Sequence, residues 1–378
     1  MRWRIVGRVA RAGMVVTGAV SVRDGRTVAD DPGARVVVLP AGWLVAPGLV
    51  DLQVNGFAGN EIGPDPAACA HVAAALPARG VTAFCPTVVT RRWEDYADVA
   101  RTLAATRWPA AGARALGPHL EGPFLAPSRA GAHEGARLRR PAGPDLEWLL
   151  DAFRPAVVTL APEVDGGLAA IGRIARSGAV AAVGHTEADA ALGARAIDAG
   201  ARLLTHALNA MRPLGGRDPG AVAAFLADPR VHLGAIADGV HLAPATLAVL
   251  ARAAAERLLL VSDSVAAAGV PPGRSVLAGR PVTCDGVRVT DAEGRLAGSA
   301  AGLDAGPPAL MAAGLTAGTA IAAATDAPRR LLGLPDPLAP GAEADLVVLD
   351  TRLRVRATLI GGRPVHDPGG LLGRPQAG

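Results

Sequence analysis

Lysine is absent from this sequence. All 38 of its basic residues are arginines, in a chain of 378 residues. A protein without lysine cannot form a Schiff base through a lysine side chain, and it cannot bridge two metal ions with a carboxylated lysine. The absence therefore excludes those two kinds of catalytic site.

Aromatic residues are scarce, with five Phe, five Trp and one Tyr. The net charge of +4 and the isoelectric point near 9.7 are compatible with nucleic-acid binding. However, the arginines are scattered among acidic residues, and few rings are available to stack on bases. We therefore expect no nucleic-acid partner.

Cysteine and long apolar runs are also rare. Cys69, Cys85 and Cys284 are odd in number and contain no CxxC pair, which is typical of reduced thiols in a cytoplasmic protein. No stretch of eighteen residues lacks charges or turn residues, so no membrane span is expected. The apolar run at 12–22 is not followed by an AxA cleavage site, which favours an N-terminal strand pair over a signal peptide.

Short apolar runs alternate with Ala-rich helical stretches through most of the chain, as in parallel β/α proteins. Eight such runs match a closed (β/α)8 TIM-like barrel, in which catalytic groups collect at the C-terminal ends of the strands. The runs span 44–54, 81–89, 114–120, 156–162, 179–185, 202–208, 231–238 and 257–263.

Both ends of the chain alternate apolar and polar residues in the manner of short antiparallel strands. We expect residues 1–43 and 335–378 to form one small β-sandwich domain beside a barrel of residues 44–334. A hairpin-like insertion is predicted between residues 269 and 298, after the eighth barrel strand.

Four of the apolar runs end in polar residues that can bind a metal or activate the water bound to it. These residues are Glu121, His185, His206 and Asp263. A single histidine at a strand end is more often a hydrogen-bonded structural residue, but a barrel brings all four to one rim. A carboxylate and two imidazoles with an open position are typical of catalytic zinc, which lowers the pKa of bound water to roughly 7. Asp263 is a candidate acid/base beside that water, the alternative being a helix N-cap.

Many segments resemble the N-acetylglucosamine-6-phosphate deacetylases, a branch of the amidohydrolase superfamily. The resemblance covers nearly the whole chain, and the order and spacing of its motifs are specific. The motifs are APGLVDLQVNG, HLEGPF, GAH at 131–133, GHTEA, THALNAM, GGRDPG, IADGVH, LVSDSVAAAG, LAGS and LAPGAEADLVVLD.

The resemblance implies a role for each matching residue. Glu121, His185 and His206 would be the metal ligands, Asp263 the acid/base, and His133 the group that polarises the acetamide carbonyl. Four residues would contact the substrate phosphate: Asn209, Ala210, Arg217 and His241. In the family the loop carrying Arg217 can reach a neighbouring subunit, which implies a homodimer. For Arg217 the alternative is a solvated loop charge.

Gln53 and Asn55 occupy the first-strand positions where many amidohydrolases carry HxH and bind a second metal. Amides are poor zinc ligands, so one divalent ion is expected, as in the single-metal subgroup of the deacetylases. Zinc is our expectation, and iron, cobalt and manganese are alternatives because availability often decides the metal.

Some positions depart from the family pattern. Ala207 and Leu208 replace the usual Leu-Phe, Ser264 replaces Ala, and LTM does not follow LAGS. These departures leave the ligands intact but affect the sugar pocket. The expected reaction is deacetylation of N-acetylglucosamine 6-phosphate, the alternatives being another acetamido sugar phosphate such as the galactosamine epimer, an amidohydrolase acting on other amides, or a non-catalytic barrel that binds a sugar phosphate.

Overall fold

The computed structural model describes residues 2–141 and 143–373, so Met1 and 374–378 of the expected small domain lie outside the described residues. The N-terminal segment forms strands throughout, and β1 and β2 are the expected strand pair. These strands are β1 (Arg2–Arg11), β2 (Met14–Arg23), β3 (Arg26–Val28), β4 (Arg35–Val38) and β5 (Leu44–Pro47).

The middle of the chain forms short, mostly buried strands, as expected for a barrel covered by helices. They are β6 (Leu49–Val54), β7 (Gly56–Phe57), β8 (Asn60–Glu61), β9 (Val81–Val89), β10 (Arg114–Ala115), β11 (His119–Glu121), β12 (Val157–Leu160), β13 (Val180–Val183), β14 (Ala201–Leu204), β15 (His232–Ile236) and β16 (Leu258–Val261).

Helices follow the barrel strands in strict alternation, with three after β16. They are α1 (Pro66–Ala75), α2 (Asp95–Ala105), α3 (Asp145–Phe153), α4 (Gly167–Arg176), α5 (Ala190–Ala199), α6 (Gly220–Ala227), α7 (Pro244–Ala254), α8 (Gly306–Ala312), α9 (Ala317–Ala322) and α10 (Asp326–Leu332).

The barrel strands pair in parallel in the order β6, β9, β11, β12, β13, β14, β15 and β16. The circle is completed between β16 and β6 by a parallel bridge of Val54 with Ser264, where the Asn55 N–H donates to the Ser264 carbonyl at 2.8 Å. The described residues thus form the eight-stranded barrel that the sequence predicted.

The remaining strands lie outside the barrel. After β16 the chain forms β17 (Gly273–Leu277), β18 (Arg280–Cys284), β19 (Arg288–Thr290) and β20 (Leu296–Ser299), and it ends in β21 (Leu346–Leu349), β22 (Val355–Ile360) and β23 (Arg363–His366). β17 to β20 form one antiparallel sheet, hereafter the insertion sheet. It has two more strands than the hairpin expected from the sequence.

The two ends of the chain form one mostly antiparallel sheet, in the order β23-β22-β21-β5-β1-β2-β3, with β4 beside β1. The link between the ends is the antiparallel pairing of β5 with β21. This sheet has its own buried core, including Ile5, Val22, Leu346 and Leu359. The predicted small β-domain made from both termini is confirmed.

The apolar run at 44–54 belongs to two sheets. Leu44–Pro47 pairs with the terminal strands, and Leu49–Val54 begins the barrel. The break lies at Gly48, where an added Cβ would come within 2.2 Å of the Thr82 side chain. Only glycine allows this close approach of the chain to β9. The exact division into 1–43, 44–334 and 335–378 remains a prediction.

The interior between strands and helices is apolar, and all three cysteines are free and buried. Within the described ranges, no helix has the length and apolarity required to cross a bilayer.

Candidate active site

Three of the four predicted strand-end residues follow their strands at the same distance. His185, His206 and Asp263 each lie two residues after the end of β13, β14 and β16, whereas Glu121 is the last residue of β11. The three residues have positive φ angles of 49°, 27° and 49°. Left-handed backbone is costly for residues other than glycine and is concentrated at functional sites. Here the shared turn directs three side chains into the barrel mouth.

The side chains of Glu121, His185 and His206 converge, and one ligand atom from each lies within 4.8 Å of the others. Glu121 Oε1 is 3.2 Å from His185 Nε2 and 2.9 Å from His206 Nε2. The two Nε2 atoms are themselves 3.2 Å apart, and all three residues are buried.

The hydrogen bonds of this cluster suit a cation. His185 Nδ1 lies 2.8 Å from the Arg129 carbonyl oxygen, which can only accept, so Nδ1 carries a hydrogen and Nε2 is the ring nitrogen that faces the cluster. Burial raises the pKa of Glu121, but hydrogen bonds from the two histidines outweigh it and hold the pKa well below its usual range. An ionised carboxylate and two imidazole nitrogens directed at one point fit a divalent metal.

Asp263 lies beside the cluster, and its Oδ1 accepts hydrogen bonds from Asn55 Nδ2 at 2.7 Å and Gln53 Nε2 at 3.1 Å. Gln53 Nε2 is also 3.0 Å from Glu121 Oε1. Burial, reinforced by the charge of Glu121, raises the pKa of Asp263 to about 6. A carboxylate with this pKa can both accept and return a proton near neutral pH.

His133 faces the cluster from the loop after β11. Its Nε2 is 3.9 Å from Glu121 Oε2, and its Nδ1 is 2.8 Å from the Thr90 hydroxyl. Burial, with the nearby charge of His185, lowers the pKa of His133 to about 3. The ring is therefore neutral at neutral pH, and if the Thr90 hydroxyl donates to Nδ1, Nε2–H is free to donate to a substrate.

His241 is held by Asp238, whose Oδ2 accepts from His241 Nδ1 at 2.8 Å and from Ser299 Oγ at 2.9 Å. Burial raises the pKa of Asp238, but its hydrogen bond and charge interaction with His241 outweigh it and bring the pKa to about 2. Asn209 and Ala210 line the same cavity as His241.

Arg217 is a predicted site residue that lies away from the cavity. It lies exposed in the loop between β14 and α6, among other exposed residues at 213–218. The cavity has a volume of about 300 Å³, and its lining does not include Arg217.

Several residues of the site were missed by sequence reasoning. The insertion sheet contributes Leu277, Arg280 and Arg295 to the cavity wall. Their identities carry no motif, and only the folded sheet places them there. Thr90 was also missed, although it follows directly after β9 at the same rim.

His119 is buried next to the cluster of Glu121, His185 and His206. Its Nδ1 donates to the Leu52 carbonyl at 2.9 Å, and its Nε2 is 2.7 Å from the Thr159 hydroxyl, which is in turn 2.7 Å from that of Thr205. His119 thus links β6, β11 and β12, and its place two residues before Glu121 on the same strand face was a signal available in the sequence.

Comparisons with known proteins agree with this architecture. The amidohydrolase family model matches residues 44–365. N-acetylglucosamine-6-phosphate deacetylase from Danio rerio is 37% identical over 340 residues, covering 85% of this chain and 84% of the relative. N-acetylgalactosamine-6-phosphate deacetylase from Escherichia coli O157:H7 is 35% identical over 350 residues, covering 90% and 93%.

A solved structure shows the same fold. It is the N-acetyl-D-glucosamine-6-phosphate deacetylase of Mycobacterium smegmatis, in an aspartate-to-alanine variant bound to N-acetyl-D-glucosamine-6-phosphate. It superposes with a TM-score of 0.90 at 36% identity, covering 97% of this chain and 99% of that one. The chain therefore belongs to the metal-dependent amidohydrolase family, in the branch of the N-acetylglucosamine-6-phosphate deacetylases.

Proposed function

We propose that this protein hydrolyses the acetamide of N-acetylglucosamine 6-phosphate to acetate and glucosamine 6-phosphate. The observation that carries the proposal is the position of Asp263 beside the buried cluster of Glu121, His185 and His206, in a cavity that His133 also lines. A deacetylase needs these groups in one place: metal ligands, a proton carrier and a donor to the carbonyl oxygen.

One divalent ion bound by Glu121, His185 and His206 would supply Lewis acidity and lower the pKa of a water molecule. We propose a single ion, because Gln53 and Asn55 use their amide hydrogens on Asp263. Zinc suits a site of one carboxylate and two imidazoles, and iron, cobalt or manganese would also bind such a site.

Asp263 would move the proton. With a pKa raised to about 6 by burial and by the charge of Glu121, it is ionised at neutral pH and can accept a proton from the attacking water. It would then return this proton to the departing nitrogen, so that water and amide become acetate and amine. His133, neutral at that pH, would donate from Nε2 to the carbonyl oxygen as negative charge develops there.

Asn209, Ala210 and His241 line the same cavity and would receive the phosphate. His241 is suited to this role because its Nδ1 bond to Asp238 leaves Nε2 for a ligand. A dianionic group favours guanidinium partners, and we propose that Arg217 of a second subunit supplies one in a homodimer. Its exposed loop makes such a contact possible.

The substrate is tested by acetate release from purified, metal-loaded protein with N-acetylglucosamine 6-phosphate and its galactosamine epimer. We expect turnover of the glucosamine compound with the higher kcat/KM. A preference for the galactosamine epimer would favour the second candidate, which is supported by the 35% identical relative from Escherichia coli O157:H7. Binding without acetate release would indicate a non-catalytic sugar-phosphate-binding barrel.

We also propose a cytoplasmic location, where three free thiols remain reduced.

A further inference from the structure

The turn between β17 and β18 covers one side of the cavity. Leu277, Ala278 and Arg280, at the ends of these strands and in the turn, all line it. Glu61 of β8 holds this turn in place, because its Oε1 accepts the Ala278 N–H at 2.6 Å. The insertion sheet therefore meets the active site at a defined point.

Arg280 makes a second connection. Its Nη1 donates to the Ala132 carbonyl oxygen at 2.6 Å, whereas its other polar partner among the described residues, Glu293 Oε2, is 3.5 Å away. The side chain is three-quarters buried, with 25% exposure. A short, largely buried guanidinium–carbonyl bond is among the stronger hydrogen bonds in proteins.

Ala132 directly precedes His133 in the chain. Ala132 also packs against the core of the insertion sheet, which includes Val282 and Val289. On the other side of the loop, the His133 N–H donates to the Ala130 carbonyl at 3.0 Å, and Thr90 holds the ring at Nδ1. The position of His133 relative to Glu121, His185 and His206 therefore depends on two contacts. Thr90 from the barrel contacts its ring, and Arg280 from the insertion sheet contacts the preceding residue.

We propose that Arg280 is a positioning residue that acts through the Ala132 carbonyl to hold His133 over the reacting carbonyl. This inference rests on the proposed deacetylase function. It gives the insertion sheet a part in transition-state stabilisation, in addition to forming a wall of the cavity. In this role Arg280 acts on the loop and makes no contact with the reacting atoms.

The test compares Arg280→Ala, Arg280→Lys and the control Arg274→Ala, which removes an exposed arginine of β17 outside the cavity lining. We expect Arg280→Ala to lower kcat about 10- to 100-fold, the cost of a misplaced catalytic group, with KM changed less than about threefold. Arg280→Lys keeps a donor and should recover part of kcat, and Arg274→Ala should match the unmodified protein. A raised KM with unchanged kcat would instead indicate direct contact with substrate and would overturn the proposal.

A double-mutant cycle with His133→Asn isolates the route of the effect. If Arg280 acts through His133, Arg280→Ala should cost less than about threefold once His133 is gone. If the double variant instead shows the product of the two single losses in kcat, the residues act independently and the proposal is contradicted. Hydrogen exchange provides an activity-independent readout, since the amides of 130–134 should exchange faster in Arg280→Ala than in Arg274→Ala. Unchanged exchange would also refute the positioning role, whereas absence of acetate release by the unmodified protein would refute only the proposed function.

Discussion

Gln53 Nε2 donates to Asp263 Oδ1 at 3.1 Å, across the point where the first and last barrel strands meet. The same nitrogen is 3.0 Å from Glu121 Oε1, so one amide ties the proposed proton carrier to a proposed metal ligand. A histidine here could bind a second ion, whereas an amide orients the carboxylates by hydrogen bonds. This geometry supports the proposal of a one-metal site.

Asp263→Asn should abolish turnover while leaving the bound metal in place. Asparagine is nearly isosteric but cannot accept the proton of water. The folded protein should be no less stable, because a group whose pKa is raised to about 6 stabilises the fold only when protonated, below that pH, and its ionised form opposes folding at pH 7. Acetate release, metal analysis and thermal unfolding at pH 7 check the three parts. Turnover by this variant would exclude Asp263 as the base.

Asn55→Ala should shift the acid limb of the kcat/KM profile to higher pH. Burial dominates the raised pKa of Asp263, and the hydrogen bond from Asn55 opposes this effect. Without that bond the pKa rises further, so the base loses its charge at a higher pH. Asn60→Ala, which removes an amide bonded to the Ala58 carbonyl outside the cavity lining, is the control. A profile that does not move would mean that this bond does not tune the base.

Glu121→Gln should lose metal and activity together. The neutral amide removes the negative charge that the two histidines face at 3.2 and 2.9 Å. Glu134→Gln changes another carboxylate of the same cavity and should retain the metal. Metal content after gel filtration measures the difference, and a fully loaded Glu121→Gln protein would show that the cation binds elsewhere.

Arg217→Ala should raise KM for the phosphorylated substrate about 10-fold or more, the cost of a charge-assisted contact, with little effect on kcat. The control is Arg195→Ala, on an exposed position of α5. If the contact crosses subunits, mixing Arg217→Ala with Asp263→Asn should restore activity, because a mixed dimer contains one intact site. No recovery from a mixture shown to exchange subunits would place Arg217 in its own chain's site or outside both.

Asp350→Asn should destabilise the terminal sheet. Burial raises the pKa of Asp350, but hydrogen bonds from the Arg354 N–H and the Arg356 guanidinium outweigh it and bring the pKa to about 2. A lowered pKa contributes stability above the unfolded value near 4, and this contribution is lost as pH falls towards 2. Because the two arginine partners are exposed and solvent screens their charges, we expect a loss of about 1 kcal/mol at pH 7 that shrinks at pH 3, measured by urea unfolding. An equal loss at pH 7 and pH 3 would contradict the ionic origin.

The sequence predicted the barrel and the convergence of Glu121, His185 and His206 because both depend on local patterns. Each of these residues ends an apolar run, and parallel strands bring such ends together whatever the details of packing. The positive φ angles of His185, His206 and Asp263 were not predictable, because tertiary contacts hold that conformation against its intrinsic cost.

Contacts between distant segments escaped prediction for a similar reason. Arg280 meets Ala132 across 148 residues of sequence, and no pattern in either segment indicates the other. The division of the first strand run depended on how closely Gly48 approaches Thr82. In our proposal Arg217 contacts the substrate of a second subunit. A single folded chain therefore leaves its side chain exposed.

The most direct test of the central claim is to titrate metal-free protein with Zn²⁺ while following acetate release from N-acetylglucosamine 6-phosphate. We predict that activity rises in proportion to added metal and reaches its plateau at one ion per chain, held by Glu121, His185 and His206. Full turnover by the metal-free protein, or a plateau reached only at two ions per chain, would contradict it.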